Sequence, residues 1–239
     1  MRRRTSLVTA VAATALLAGC GLTDDAPEPG VAASVDGESV QLSRVDDTVA
    51  AFCELLSTEE GAPVYARASV RSQLAWNWAQ AVAVERVAGE YGVDLPSDAI
   101  DPGVVKRSWR LDDDVDDDTF DAFEWLTAIQ LRLSDPLLAI GSKELLAQTG
   151  QAGNQDAALS AGTQVVDTWL AEHDVTLNPT LGTRDAKTGG FLGDDLSVAV
   201  SGAARAGSDL TRLTIEQAAA LPATARCGAA SAPQAQPGA

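Results

Sequence analysis

Apolar residues recur along this chain in two periods, a short alternation near the start and a three-to-four spacing through most of the rest. Val31 to Val35 and Glu38 to Leu42 are short apolar runs separated by Asp36-Gly37. That pair tolerates the positive φ angles of a type I′ turn, so the spacing predicts a β-hairpin. Ser43 follows as the expected N-cap of a helix with Asp46 in its first turn. Val45, Val49, Phe52, Cys53 and Leu56 recur at helical spacing, which puts Cys53 on a buried face.

A second helix is predicted from about Ala66 to Tyr91, stopped at Gly92 with Pro96 beyond. Its apolar positions, among them Val70, Leu74, Trp76, Trp78, Val82 and Val87, cover more than one stripe. Such a helix is either packed on several sides or offers an apolar face to another molecule. Trp76 and Trp78 lie about 200° apart around a helix and cannot share one buried face. One of them is therefore the candidate contact for a client or partner, the alternative being that neighbouring helices cover both.

Further helical spacing runs from after Ser97 to about Arg110, from Phe120 to Leu133, from Leu137 to Leu146 behind Ser134-Asp135-Pro136, and from Asp156 to His173. The run from Asp112 to Asp118 between two of these reads as a solvated acidic loop. It lacks the sixth-position glycine and the distal glutamate of a calcium-binding EF-hand loop. Val175 to Leu177 is a short strand stopped by Asn178-Pro179, and Leu196 to Val200 is another strand candidate. Thr214 and Gln217 form a possible capping box for a last short helix, and Ala229 to Ala239 is expected to be disordered. The fold class that follows is mainly α with a small β component.

The first thirty residues have a different character. Arg2, Arg3 and Arg4 precede an apolar run from Leu7 to Ala18, too short to span a bilayer, and Leu17-Ala18-Gly19-Cys20 closes it. These four residues resemble the lipobox of bacterial lipoproteins, in which the signal is cut before the cysteine and the thiol receives diacylglycerol. The resemblance implies a signal peptide over 1–19, a lipidated Cys20, a polar tether over 20–30, a body over 31–228 and a tail over 229–239. It places the protein on the outer face of the cell membrane, held by acyl chains such as palmitate.

From Cys20 onward the chain holds 14 basic and 34 acidic residues, a balance that argues against nucleic acid and against anionic lipid headgroups as partners. With Cys20 assigned to lipid, Cys53 and Cys227 remain as a pair in a compartment where disulfides persist. Bonding them would close a long loop and contribute about 4 to 5 kcal/mol by chain entropy. Two buried free thiols are the alternative.

Catalytic chemistry finds little support. The single histidine, His173, sits near a helix C-terminus, where a protonated imidazole is favoured, and no Gly-x-Ser-x-Gly elbow accompanies it. A tetrahedral nitrogen and sulfur metal site lacks ligands, so no metal and no cofactor are expected.

The order of Val35-Asp36-Gly37-Glu38, the Ser43 cap, an amphipathic helix and a long helix ending Tyr91-Gly92-Val93 resembles the N-terminal domain of the SurA/PrsA class of extracytoplasmic chaperones. More narrowly the layout looks like the SurA-like lipoproteins of high-GC Gram-positive bacteria. Their "DV-x-V-NPRYG" segment stands here as Asp174-Val-Thr-Leu-Asn-Pro-Thr-Leu-Gly182, with Thr180 and Leu181 replacing the arginine and tyrosine. The resemblance implies a SurA N-terminal-like helical domain that binds unfolded or translocating chains. The parvulin isomerase module of many members needs paired histidines, so chaperone-like binding without isomerase activity is what it implies here. The other readings are a structural or adaptor lipoprotein that binds one cell-envelope partner and, more remotely, a hydrolase with an unrecognised site.

Overall fold

The structure, a computed structural model, describes residues 29–184, 191–192, 217 and 220–229. It is mainly helical, with a few short strands. The expected hairpin forms as β1 (Val31–Val35) and β2 (Glu38–Gln41). Asp36 at φ 48° and Gly37 at φ 83° supply the two left-handed residues of the turn. The third strand, β4 (Val175–Leu177), pairs antiparallel with the other edge of β1, giving the order β2-β1-β4. Asn178 locks this pairing, its backbone N–H donating to the Ala32 carbonyl (2.8 Å) and its side-chain amide to the Val31 carbonyl (2.7 Å). Two distant parts of the chain thus share one small sheet, and β1 at its centre is buried.

Helix α1 (Leu42–Thr58) begins directly at the end of β2. The expected Ser43 cap is not used: Gln41 occupies the capping position without a side-chain bond, and Ser43 lies inside the first turn. The reason is that no loop separates strand from helix. The Leu42 N–H, which a cap might have satisfied, donates instead to the Gly30 carbonyl (2.7 Å). Asp46 turns outward to pair with Arg71 (2.6 Å).

A two-residue strand, β3 (Tyr65–Ala66), leads into α2 (Arg67–Tyr91), the long helix of the protein. Gly92 ends it at φ 58°, and the Val93 N–H reaches back to the Ala88 carbonyl (2.8 Å). Lys143 places its ammonium 2.8 Å from both the Tyr91 and Gly92 carbonyls, where a cation complements the helix C-terminus. α2 touches α1, α4, α5, α6 and β1, whose other ranges are α4 (Asp117–Arg132), α5 (Asp135–Thr149) and α6 (Gln155–Glu172). One core gathers Leu74, Ala75 and Ala81 of α2 against Val45, Val49 and Leu56 of α1 and Ile129 of α4. The other gathers Trp76, Val82, Val84 and Val87 against Leu137, Ile140, Val166 and Leu170.

Between α2 and α4 lies α3 (Pro102–Trp109), capped by Asp101, which accepts the Gly103 N–H at 2.7 Å. The acidic run is shorter as a loop than expected, because its last residues belong to α4. Asp116 caps that helix through the Thr119 N–H (2.9 Å), and Asp117 and Asp118 sit in its first turn. Carboxylates there face the positive end of the helix dipole. The Thr119 N–H also holds the Asp116 carboxyl below its ordinary pKa.

α5 and α6 form an antiparallel pair whose backbones touch. A Cβ at Gly141 would overlap the Ala158 carbonyl and lie 2.5 Å from the Gly162 nitrogen, and one at Gly162 would overlap the Leu137 carbonyl. Beyond β4 come a 3-10 turn (Pro179–Leu181) and a two-strand ladder of β5 (Thr183–Arg184) with β6 (Phe191–Leu192). A second 3-10 turn (Ala223–Ala225) precedes β7 (Arg226–Cys227), which pairs antiparallel with β3. The strand expected at Leu196 to Val200, Thr214 of the capping box, and the tail beyond Ala229 lie outside the described residues.

Two predictions follow from this packing. Gly141→Ala and Gly162→Ala should each destabilise the protein by at least about 1 to 3 kcal/mol, since rigid backbone blocks the added methyl. Gly89→Ala, with open space at an exposed position of α2, should instead gain about 0.5 to 1 kcal/mol. Urea midpoints measure all three. Separately, the Tyr91 phenol donates to Glu144 (2.6 Å), and that bond, with some burial, pushes its pKa up to about 12. Folding therefore favours the protonated phenol. Its contribution is whole below pH 10, the value of a free tyrosine, and disappears as pH rises toward 12. Ultraviolet absorbance titration should show a late-ionising tyrosine that Glu144→Gln brings back toward the ordinary value.

Candidate functional site

A cleft of about 340 Å³ opens where α1, β3, α2, α3 and α4 converge. Helical spacing explains its walls. Thr48, Val49 and Phe52 line it from α1, and Leu126 and Gln130, four apart, from α4. From α2 come Val70 and Leu74 low in the wall, with Ser69, Gln73 and Asn77 as its polar side chains. Tyr65, 44% exposed, forms a rim from β3.

Trp109 at the end of α3 forms the remaining wall, and its position is firmly set. The indole N–H donates to Thr127 Oγ1 (2.9 Å), whose hydroxyl donates to the Phe123 carbonyl (2.7 Å). Its ring meets Phe52 edge-on at 6.1 Å between centroids and Phe123 at 5.0 Å. Gln73 and Asn77 bond one another along α2 (2.7 Å). Thr48 is wholly buried, and its hydroxyl has no hydrogen-bond partner. The lining holds hydroxyls and amides and no carboxylate, imidazole or ammonium. It offers apolar surface with neutral donors and acceptors, the composition that suits an apolar side chain together with its peptide groups.

The residues singled out in the sequence fall differently. Trp76 is 8% exposed in the second core, and Trp78 is half-buried against both cores. The two do point apart, as the helical spacing requires, but α2 has packed neighbours on both sides. Asn77, between them in sequence, is the residue of that stretch that reaches the cleft. Trp125 lies under the Arg44 guanidinium at 5.2 Å, and Trp169 stacks on His173 at 3.6 Å between ring centroids. His173 Nδ1 lies 2.7 Å from the Trp169 carbonyl, so the imidazole closes the end of α6. Cys20 lies outside the described residues. Among the described residues no group of three or more His, Cys, Asp or Glu side chains is arranged to hold a metal ion, and no helix is long and apolar enough to cross a membrane.

Cys53 and Cys227 do come together, with Cα atoms 4.2 Å apart and their sulfurs in contact. Cys53 follows Phe52 of the cleft wall, and Cys227 is the ladder partner of Tyr65 on its rim. One bond between the sulfurs would tie both sides of the cleft. The aromatic wall itself was not visible in the sequence: Phe52 reads as an ordinary core residue, Tyr65 falls in no periodic run, and Trp109 is separated from both by more than forty residues.

Peptide mapping without reductant should recover the Cys53 and Cys227 peptides linked. Cys227→Ser should lower stability by about 2 to 5 kcal/mol and loosen the β3–β7 ladder, read as faster amide exchange at Tyr65 and Ala66. Full alkylation of both thiols in native, unreduced protein would refute the bond.

Compared with protein-family models, with curated proteins and with solved structures, the chain matches none.

Proposed function

We propose that this protein is a lipid-anchored, extracytoplasmic chaperone-like holdase that binds unfolded or translocating chains without covalent chemistry. The observation that most supports the reading is the cleft beside Trp109, whose apolar walls carry neutral amides and hydroxyls able to pair with peptide groups. Uncharged donors and acceptors suit the backbone common to all clients, and an apolar floor suits the side chains that unfolded chains expose. The SurA-type order of hairpin, helix and long helix supports the same reading. The lipobox-like Leu17-Ala18-Gly19-Cys20 supports action at the membrane surface. The single histidine supports binding without parvulin chemistry.

An adaptor role draws on one observation: the cleft is small and its Trp109 wall is rigidly held, which also suits one anchor from one folded partner.

Purified full-length protein in detergent should suppress aggregation of a reduced, unfolded client while leaving prolyl isomerisation at its uncatalysed rate. Tyr65→Ala should weaken client binding by about 1 to 3 kcal/mol, as loss of an aromatic contact does, with an unchanged circular dichroism spectrum. Cys20→Ala should move the protein out of the membrane fraction. Failure to bind any unfolded chain, combined with capture of one folded envelope protein, would replace the holdase by the adaptor.

A further inference from the structure

The neutral cleft adjoins a strongly negative stretch of surface. Trp109, its α3 wall, is followed after two residues by Asp112, Asp113 and Asp114, and the run continues to Asp117 and Asp118 in the first turn of α4. Arg110 bonds Glu59 (2.7 Å), which fixes this loop beside the C-terminal end of α1, where Glu60 is exposed. Of the local cations, Arg110 pairs with Glu59 and Lys106 with Asp113, through its carbonyl at 2.9 Å and its carboxylate at 3.8 Å, while Arg107, exposed on α3, stands as one positive charge against the carboxylates. Glu60, Asp112, Asp114, Asp117 and Asp118 are exposed and have no ion-pair partner among the described residues. Arg67, two residues beyond Tyr65, is half-buried and is outnumbered by them.

The inside of the cleft is incomplete in a different way. The Thr48 hydroxyl is buried there without a partner, a state that costs free energy until a ligand group or a water supplies the bond. An apolar pocket whose Trp109 wall runs on into unneutralised carboxylates selects for more than greasiness.

Resting on the holdase reading, we infer that the occupant is an extended peptide segment with an apolar side chain in the cleft and basic residues flanking it. The apolar side chain supplies buried area, and its peptide groups meet Gln73 and Asn77. The flanking cations meet residues 112–118, where the attraction acts over about 8 to 10 Å at moderate salt. A segment flanked by glutamates meets the same field as repulsion. The protein would then favour exported chains in which apolar stretches lie next to lysine or arginine.

Calorimetry with full-length protein in zwitterionic detergent tests this, using the octapeptide Lys-Lys-Gly-Phe-Leu-Gly-Lys-Lys and its counterpart with four glutamates. The lysine peptide should bind about tenfold more tightly at low salt, and the difference should collapse near 0.5 M salt. The triple variant Asp112→Asn, Asp114→Asn, Asp118→Asn, which leaves the Asp116 cap intact, should lose most of that preference. A control on the outer face of α6, Asp156→Asn with Glu172→Gln, should keep it. Equal binding of the two peptides, or equal loss of preference in both variants, overturns the inference. An unfolded neutral client that still binds in that case leaves the holdase reading standing, whereas failure of client and both peptides together removes both.

Discussion

Burial of α2 on several sides is the constraint on which the other elements depend. A helix placed between two cores must present side chains small enough for neighbours to approach and apolar enough to repay their desolvation. α2 does this with Ala75, Ala79, Ala81, Ala83 and Ala88 set among Leu74, Trp76, Val82, Val84 and Val87, all buried. At about 25 cal/mol per Å² of apolar surface, each large side chain buried here contributes about 1.5 to 3 kcal/mol. α1 and α4 close one side and α5 and α6 the other, while the β2-β1-β4 sheet joins residues far apart in sequence across the same helix.

The cleft is a consequence of that arrangement. α1 and α4 pack on α2 through Val49, Leu74 and Ile129, and Phe52, Leu126 and Trp109 line the cleft beside that contact. Trp109 belongs to a short helix set between α2 and α4 in the chain. Its bond to Thr127 and its contacts with two phenylalanines make it a wall rather than a filler. Charge is kept outside this interior. Ion pairs such as Arg71 with Asp46, Arg86 with Glu38 and Arg110 with Glu59 lie on the surface, where each is worth little for stability. The excess of acidic over basic residues serves solvation more than it holds the fold.

Local chemistry was legible in the sequence wherever one residue's backbone preference decides the outcome. Asp36-Gly37 gives a type I′ turn because both residues tolerate positive φ, and Gly92 ends α2 for the same reason. Pro136 lies in the first turn of α5, where its missing N–H costs nothing. Helical periodicity placed Val45, Val49, Cys53 and Leu56 on the buried face of α1, and Cys53 and Cys227, read as a pair with Cys20 assigned to lipid, stand side by side. Ser43 went otherwise because a cap also depends on what precedes the helix, and here a strand feeds it without a loop.

What the sequence by itself determined is the succession of elements, the mainly helical class and the strongly acidic balance, all properties of residue type and spacing. What only the tertiary structure decided is which apolar faces meet. Trp76 and Trp78 have the spacing of two residues that cannot share one buried face, yet helices packed on both sides of α2 bury the first and half-cover the second. The same packing draws Phe52, Tyr65, Trp109 and Leu126 from separate elements to a single cleft. Side-chain periodicity specifies direction around one helix axis, and it carries no information about which other axis lies in that direction.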